Sequence, residues 1–364
     1  MALNLEGDIL RLLAPEFPEI LVRRYRILRK IYYSAPVGRR TLAAYFQVGE
    51  RVLRREVAVL REQGLVKVEP RGISLTALGK TAVLSITPDL KSFLGLNVLE
   101  NKLLKLLKVR RVLVVPGDLE KDEIVLQEMG RAAARILREC LVADMVLAVS
   151  GGTSCAAVAD MLPETPGPPG ITVVPARGGL GEVVDYQANT IAARVALKLD
   201  ARYRLLYLPD SLSDAALQLL LQEKKIKEVV SLINTARVLL HGIGGAEDMA
   251  RRRGAGPEEL QRLCRRGAVG EVFGVFYNCR GEIVERIPSL GLYHEGLDQR
   301  VHNAIVVAGG RKKARAIAAV VGNHPRDLLV LDEGAAREIL RLHGEGEDKD
   351  NRSQNEGIFS PEKH

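Results

Sequence analysis

The chain has 364 residues and a formal net charge of +8, which leaves room for two or three domains with real apolar cores. No apolar run reaches the roughly 18 residues that a membrane helix needs, and Met1 to Asp8 carry neither a basic segment nor a signal-like apolar core. Membrane insertion and secretion are therefore excluded as expectations, and a soluble cytoplasmic protein is expected. Cys140, Cys155, Cys264 and Cys279 are scattered without a C-x-x-C pair, and the six histidines are equally dispersed, so free thiols and no zinc site are expected.

The charge is unevenly placed. Residues 1–92 hold 16 Lys+Arg against 9 Asp+Glu, and the remainder is nearly balanced. A basic excess confined to a small domain is the footprint of a polyanion binder.

In chain order, Leu21, Tyr25, Leu28 and Tyr32 recur at helical spacing, and Ser34-Ala35-Pro36 ends that helix. A short helix at about Thr41–Phe46, a tight connection at Gln47-Val48-Gly49 and a longer helix from Glu50 to Gln63 follow. Leu53, Val57 and Leu60 make the buried stripe of the longer helix, and Arg51, Arg54 and Arg55 fall on the opposite face. Two short strands around Glu69-Pro70-Arg71-Gly72 read as a hairpin. The order is that of a winged helix-turn-helix. Its second helix would enter the major groove of double-stranded DNA, and Arg71 at the wing tip would reach the backbone or the minor groove. The alternative is a small helical dimerisation domain with exposed arginines. Residues 77–108 read as a linking helix interrupted at Thr87-Pro88-Asp89, and the domain boundary is placed at 92/93.

From residue 109 the period changes. Val112–Val115, Met145–Val149, Ile171–Val174, Leu205–Leu208, Val238–Leu240, Ile305–Val307 and Leu328–Leu331 read as strands, mostly separated by helical segments such as Glu123–Cys140 and Cys155–Leu162. This alternation predicts a doubly wound α/β domain over 93–343 with a mainly parallel sheet. Gly270–Val284 reads as an inserted hairpin. Residues 344–364 are polar and charged and read as a disordered tail.

Ligands of such sheets bind beyond the carboxyl ends of the strands. Gly151-Gly152-Thr153-Ser154, Arg177-Gly178-Gly179, His241-Gly242-Ile243-Gly244-Gly245 and Gly309-Gly310-Arg311-Lys312-Lys313 all fall there, with Arg251, Arg252 and Arg253 shortly after the third. Glycines let a backbone approach a ligand closely, and helix-terminal amides favour an anion. Several such ends with basic residues point to a ligand carrying more than one phosphate. Walker A and G-x-G-x-x-G are both missing, and Glu247 stands where the third glycine of the dinucleotide fingerprint would be. Nucleotide binding is disfavoured.

These residues carry a resemblance. Glu50-Arg51-Val52-Leu53-Arg54, Ser150-Gly151-Gly152-Thr153, the run Val174 to Glu182, Gln187-Ala188-Asn189-Thr190, His241-Gly242-Ile243-Gly244, Val307-Ala308-Gly309-Gly310 and Asp332-Glu333-Gly334-Ala335-Ala336 resemble the SorC family of sugar-responsive bacterial regulators over about residues 20–343. The resemblance implies a winged-helix repressor of glycolytic operons with an effector domain like the sugar-phosphate isomerases and deaminases. It further implies fructose 1,6-bisphosphate or a related sugar phosphate as effector, no cofactor, and a dimer of dimers on operator DNA. Residue by residue, it puts a phosphate on Gly151, Gly152, Thr153 and Ser154. Arg177, Gln187, Arg252 and Lys313 would hold phosphate or sugar oxygens, with Lys312 in place of Lys313 under a one-residue shift, and Glu271 would accept from sugar hydroxyls. Ser154 stands where the family usually has a second threonine, which keeps the hydroxyl.

The competing function is a working sugar-phosphate isomerase or deaminase. It would need a general base in reach of a substrate proton, and Glu182, Asp185, Glu271 and His241 are the candidates. A DNA-reading head fits a metabolic isomerase poorly, and no catalysis is expected.

Overall fold

The computed structural model describes residues 16–181, 183–210, 212–287, 301–322, 324–325 and 327–355. They form two compact units that divide between Asn97 and Val98, a few residues beyond the boundary expected from the sequence.

The first unit begins with α1 (Phe17–Ser34), α2 (Arg39–Phe46) and α3 (Glu50–Glu62), followed by β1 (Val66–Glu69) and β2 (Gly72–Leu75). α1 stops where expected, before Pro36, because a residue ahead of proline is driven out of the helical region. Gln47, at φ 54°, reverses the chain after α2, and its amide donates to the Ala43 and Ala44 carbonyls. The three-residue turn then feeds α3. Leu53, Val57 and Leu60 of α3 are buried with Ile27, Ile31 and Leu42. Each such side chain contributes about 1.5–3 kcal/mol by leaving water. β1 and β2 pair antiparallel from Val66–Leu75 to Glu69–Gly72, and Val37 bridges to Ile73 at the outer side of β2. Helix, turn, helix and hairpin thus share one core.

The linking helix, read as interrupted at Thr87-Pro88-Asp89, is three helices: α4 (Ala77–Ser85), α5 (Thr87–Phe93) and α6 (Leu96–Leu107). Thr76 caps α4, accepting from the Gly79 amide at 3.0 Å and donating to the Gly64 carbonyl at 2.6 Å. Pro88 opens α5 in its first turn, where a missing amide proton costs nothing. A second break, at Leu94-Gly95, separates α5 from α6.

The second unit carries β3 (Arg111–Val115), α7 (Ile124–Cys140), β4 (Val146–Val149), α8 (Thr153–Met161), β5 (Thr172–Pro175), α9 (Ala188–Leu199) and β6 (Arg202–Tyr203). It continues with α10 (Asp214–Leu220), α11 (Lys224–Asn234), β7 (Val238–His241), β8 (Gly244–Gly245), α12 (Ala246–Arg252) and α13 (Pro257–Arg265). Last come β9 (Ala268–Val272), β10 (Val275–Asn278), β11 (Ile283–Arg286), β12 (Asn303–Val307), α14 (Ala314–Val321), β13 (Asp327–Asp332) and α15 (Glu333–Asn355).

Seven strands form one sheet in the order β3-β13-β12-β7-β4-β5-β6, every pair parallel. From β4 the chain steps to β5 and β6, and from β7 it steps the other way to β12 and β13. Right-handed crossovers therefore put the connecting helices on opposite faces, and β4/β7 is the switch point where a crevice opens. The core under one face joins Leu147, Val149, Val238 and Leu240 of the strands to Val125, Met129, Val158 and Ile191 of α7, α8 and α9.

Three local expectations are corrected. Leu205–Leu208 is not a strand, since β6 is only two residues long. The following segment is held instead by Asn189, whose side chain bonds both the amide and the carbonyl of Leu206 at 3.0 Å. The inserted hairpin is larger than expected, because β9, β10 and β11 are consecutive antiparallel strands with β8 as a fourth. Finally, α15 runs on through 344–355, where a disordered tail was expected. Its first part is buried at Ala335, Ala336 and Ile339, and the Glu-, Lys- and Arg-containing continuation propagates a helix already nucleated. Residues 356–364 lie outside the described residues.

Candidate functional site

In the first unit the four predicted arginines stand exposed: Arg51, Arg54 and Arg55 on α3, and Arg71 in the turn between β1 and β2. Among the described residues no acidic side chain pairs with any of them. The opposite side of α3 is anchored by Glu56, buried beneath Arg23 and Arg24 of α1 at 2.9 Å each. Sequence reading missed this pair, although a glutamate inside an apolar stripe was the available signal. The anchor fixes the rotation of α3, so its arginine face stays outward.

In the second unit a cleft of about 350 Å³ opens at the β4/β7 switch point. The loops after β4, β5 and β7 line it, together with β9 and Lys313. Gly151, Gly152, Thr153, Ser154, Arg177, Gln187, Arg252, Glu271 and Lys313 all reach it, so the structure brings every predicted effector-site residue together.

One wall is the N-terminus of α8. This helix begins at Thr153, two residues earlier than the sequence pattern suggests, so Thr153 and Ser154 are its first turn. Gly152 precedes them at φ 109°, a conformation that residues with a Cβ avoid, and a Cβ on Gly151 would lie 2.6 Å from the Tyr186 carbonyl. The first amides of a helix have no internal acceptors and carry the positive end of its dipole. Here no side chain caps them. Backbone donors and two hydroxyls thus face the cleft.

The facing rim is cationic. Lys313 ends the short turn after Gly310 and lines the cleft, whereas Lys312 is exposed, outside the lining, and donates its amide to Glu120 at 2.8 Å. Burial lowers the Lys313 pKa from the ordinary lysine value of 10.5, the nearby Arg252 charge lowers it further, and Asp248 opposes. Among the described residues no ion pair holds Lys313 or Arg252. Crowding of Lys313 with Arg252 disfavours the second charge, with Asp248 acting against it, so added negative charge there would favour the protonated lysine.

The floor differs. Arg177 donates through Nε to Asp210 Oδ1 at 2.8 Å and through Nη2 to Asp210 Oδ2. Arg253 reaches the same carboxylate at 3.2 Å and Glu271 at 2.6 Å. The Gly274 amide adds a bond to Glu271 Oε1 at 2.5 Å. Two guanidiniums and two carboxylates, all nearly without solvent, cancel in charge. The expectation for Arg177 is refined accordingly, because its guanidinium is already engaged by Asp210. Gln187 is likewise occupied: its amide group bonds Leu180 N and O and the Gly181 carbonyl, pinning the loop after β5. Glu271 Oε2, by contrast, lacks a hydrogen-bond donor among the described residues and suits a hydroxyl. Asp210, Arg253 and Asp248 were missed. Arg253 had a signal in its arginine run, and Asp210 had only its place beyond the misread strand.

The proposed catalytic bases fare poorly. His241 is buried outside the cleft lining against Phe273, with Nδ1 3.2 Å from the Gly242 carbonyl oxygen, and burial pushes its pKa down to about 4. Asp185 is exposed and also outside the lining. Glu182 lies outside the described residues. Glu271 is tied to two arginines. Among the described residues no cluster of His, Cys, Asp and Glu could hold a metal ion, and no helix is long and apolar enough to cross a membrane.

An arginine-faced helix-turn-helix unit and an α/β unit with a glycine-lined cleft are the parts of a ligand-binding transcriptional regulator. The sugar-binding domain family matches residues 91–341, and the CggR N-terminal DNA binding domain family matches residues 20–89. The central glycolytic genes regulator of Priestia megaterium is 41% identical over 92% of this chain and 98% of its own length. Its counterpart in Bacillus subtilis is 40% identical over 90% and 96%. A crystal structure described as a SorC family transcriptional regulator from Enterococcus faecalis superposes at TM-score 0.62 with 38% identity, covering 67% of this chain and 99% of that one. The chain belongs to the SorC family of sugar-binding transcriptional regulators.

Proposed function

We propose that the protein represses glycolytic genes and that a phosphorylated sugar, fructose 1,6-bisphosphate first among candidates, releases it from operator DNA. The observation that carries this reading is that Lys313, Arg252 and the uncapped start of α8 line one cleft, with no ion pair holding either cation among the described residues and Asp248 beside them. A phosphate there would take the amides and hydroxyls of Gly152, Thr153 and Ser154 on one side and the two cations on the other. Glu271 Oε2 would accept from a sugar hydroxyl. The names of the two 40–41% identical relatives support the glycolytic assignment.

In the first unit, Arg51, Arg54 and Arg55 would read or grip the major groove of double-stranded DNA, and Arg71 the backbone or minor groove. The effector can weaken that grip only by preferring one arrangement of the chain over another, and a dimer of dimers on DNA provides such arrangements.

The test is thermal unfolding of the full chain with fructose 1,6-bisphosphate, fructose 6-phosphate and NADH. A ligand at a hundred times its dissociation constant stabilises by about 2.7 kcal/mol. A clear shift with the bisphosphate, lost in Lys313→Met, supports the assignment. A shift with the monophosphate alone moves the effector assignment, and silence from both sugars removes it.

A further inference from the structure

We propose that Val52 reads a thymine methyl group in the major groove, as an apolar base contact set beside the arginines of α3. The inference rests on the reading of α3 as the helix that enters the groove and adds a specificity-determining residue to it.

The sequence of α3 sorts its residues into two kinds. Leu53, Val57 and Leu60 go into the core, and the exposed positions carry Arg or Glu with one exception. That exception is Val52, which is 50% exposed. It belongs neither to the buried cluster of this unit nor to the partly buried apolar residues packed on that cluster, a set that does include Val48 four residues earlier. A β-branched side chain at an exposed helical position loses rotamer freedom and supports the helix less than Ala, Lys or Glu would. Neither packing nor helix propensity therefore accounts for a valine here.

A lone exposed valine is ordinary on a protein surface, and its place on the helix is what singles this one out. Val52 is in the first turn of α3, the end of a recognition helix that meets base edges. By the helical period it lies about 60° around the axis from Arg55. One turn further on is Glu56, held by Arg23 and Arg24 at 2.9 Å each, and that anchor opposes any roll that would carry Val52 inward. The arginines on one flank and the basic excess of the unit suit a polyanion, so the occupant is DNA and not an apolar protein surface.

Chemistry then selects the base. An isopropyl group neither donates nor accepts a hydrogen bond. Among the four bases, the apolar group presented in the major groove is the C5-methyl of thymine. Glu50, in the same turn, is engaged by Arg40 of α2 at 3.4 Å. Arg51 and Arg55 would bond guanine or phosphate, and Val52 would add a preference for thymine that guanidiniums do not supply.

Selection of the full chain, without effector, on a pool of random duplexes supplies the probe. Each thymine of the selected duplex is then replaced singly by deoxyuridine, which removes the methyl and leaves every hydrogen-bonding group. Wild type is expected to lose about three- to tenfold in affinity at one thymine position, the scale of one or two carbons leaving an apolar contact. Val52→Ala should bind the thymine and uracil duplexes equally, whereas Arg55→Ala should keep the discrimination, and the double-mutant cycle then assigns the methyl to Val52. Val52→Thr, close in size but with a hydroxyl for one methyl, should reduce the discrimination and serves if the alanine variant fails to fold. No uracil effect in wild type at any position, or an effect undiminished in the Val52 variants, overturns the proposal, as does a pool that yields no preferred sequence. If Arg51→Ala, Arg54→Ala and Arg55→Ala also leave affinity for the selected duplex unchanged, the groove reading of α3 falls with it; losses in those variants leave that reading standing.

Discussion

Arginine is used in two opposite ways in the two units of this protein. On α3 and in the turn between β1 and β2, Arg51, Arg54, Arg55 and Arg71 are exposed, and among the described residues no acidic side chain pairs with them. In the cleft floor, Arg177 and Arg253 are nearly stripped of water and locked to Asp210 and Glu271. An exposed guanidinium keeps its hydration and stays available to a polyanion. A buried one is tolerated only while its carboxylates stay, and removing one partner exposes the desolvation cost of the other. The first set is left available to a partner, and the second is engaged within the protein.

The contrast is broken most severely by Glu271→Ala. It deletes an acid at 2.6 Å from Arg253 and the acceptor of the Gly274 amide. Destabilisation of the second unit by about 3–5 kcal/mol is expected, read by denaturant unfolding without ligand. A loss below about 1 kcal/mol would mean that solvent reaches the pair. Arg51→Ala, as the surface control, should stay within about 0.5 kcal/mol of wild type.

That asymmetry also explains what could be read from the sequence. The exposed set is local: the apolar stripe of Leu53, Val57 and Leu60 fixes which way α3 faces, so its arginines are placed by helical period alone. The strand ends are nearly as legible, because β4, β7 and β12 hold the apolar runs Val146–Val149, Val238–Leu240 and Ala304–Val307, each followed two residues on by a glycine. The floor is not, because Arg177 and Asp210 are 33 residues apart and meet only through tertiary structure. Leu205–Leu208 has a strand's composition, yet the Asn189 side chain captures the Leu206 backbone, and no periodicity reports such a competitor. In the linker the break beside Thr87-Pro88-Asp89 was legible from its proline, whereas the second break at Leu94-Gly95 was not.

His241 sharpens the comparison with a group that stays neutral instead of finding a partner. Burial holds its folded pKa near 4, against the ordinary 6.5. The unfolded chain therefore binds the extra proton first as pH falls. The stability this group contributes is intact above pH 6.5 and is lost progressively between 6.5 and 4, on the order of 3 kcal/mol in all. His241→Asn should flatten that part of the stability–pH curve. An unchanged slope would show that the imidazole titrates freely.

Lys313 lies between the extremes: a cation neither exposed nor paired. Its pKa is held below 10.5 by burial and by Arg252, so the free protein should gain stability as pH rises toward that value, and Lys313→Met should abolish the gain. A bound phosphate reverses the sign, because an anion favours the protonated amine, so binding at alkaline pH should take up protons. The same variant should weaken phosphate binding by about 1.5–3 kcal/mol, the worth of a hydrogen bond to a charged group. Retained binding with normal proton uptake would place the anion elsewhere in the cleft.

The smallest effect separates members of the exposed set from one another. Arg51 is in the first turn of α3, where a major-groove helix meets base edges, whereas Arg71 tips the hairpin. Arg51→Ala should cost about 5- to 150-fold on one operator and much less on a variant changed at the contacted base pair. Arg71→Ala should weaken all duplexes alike and reduce the slope of log affinity against log salt by about 1. Both properties are read in one salt series on two duplexes. Were Arg51→Ala to behave like Arg71→Ala, α3 would be gripping phosphates alone, and base reading would have to come from Arg54 or Arg55, one turn further along the same face.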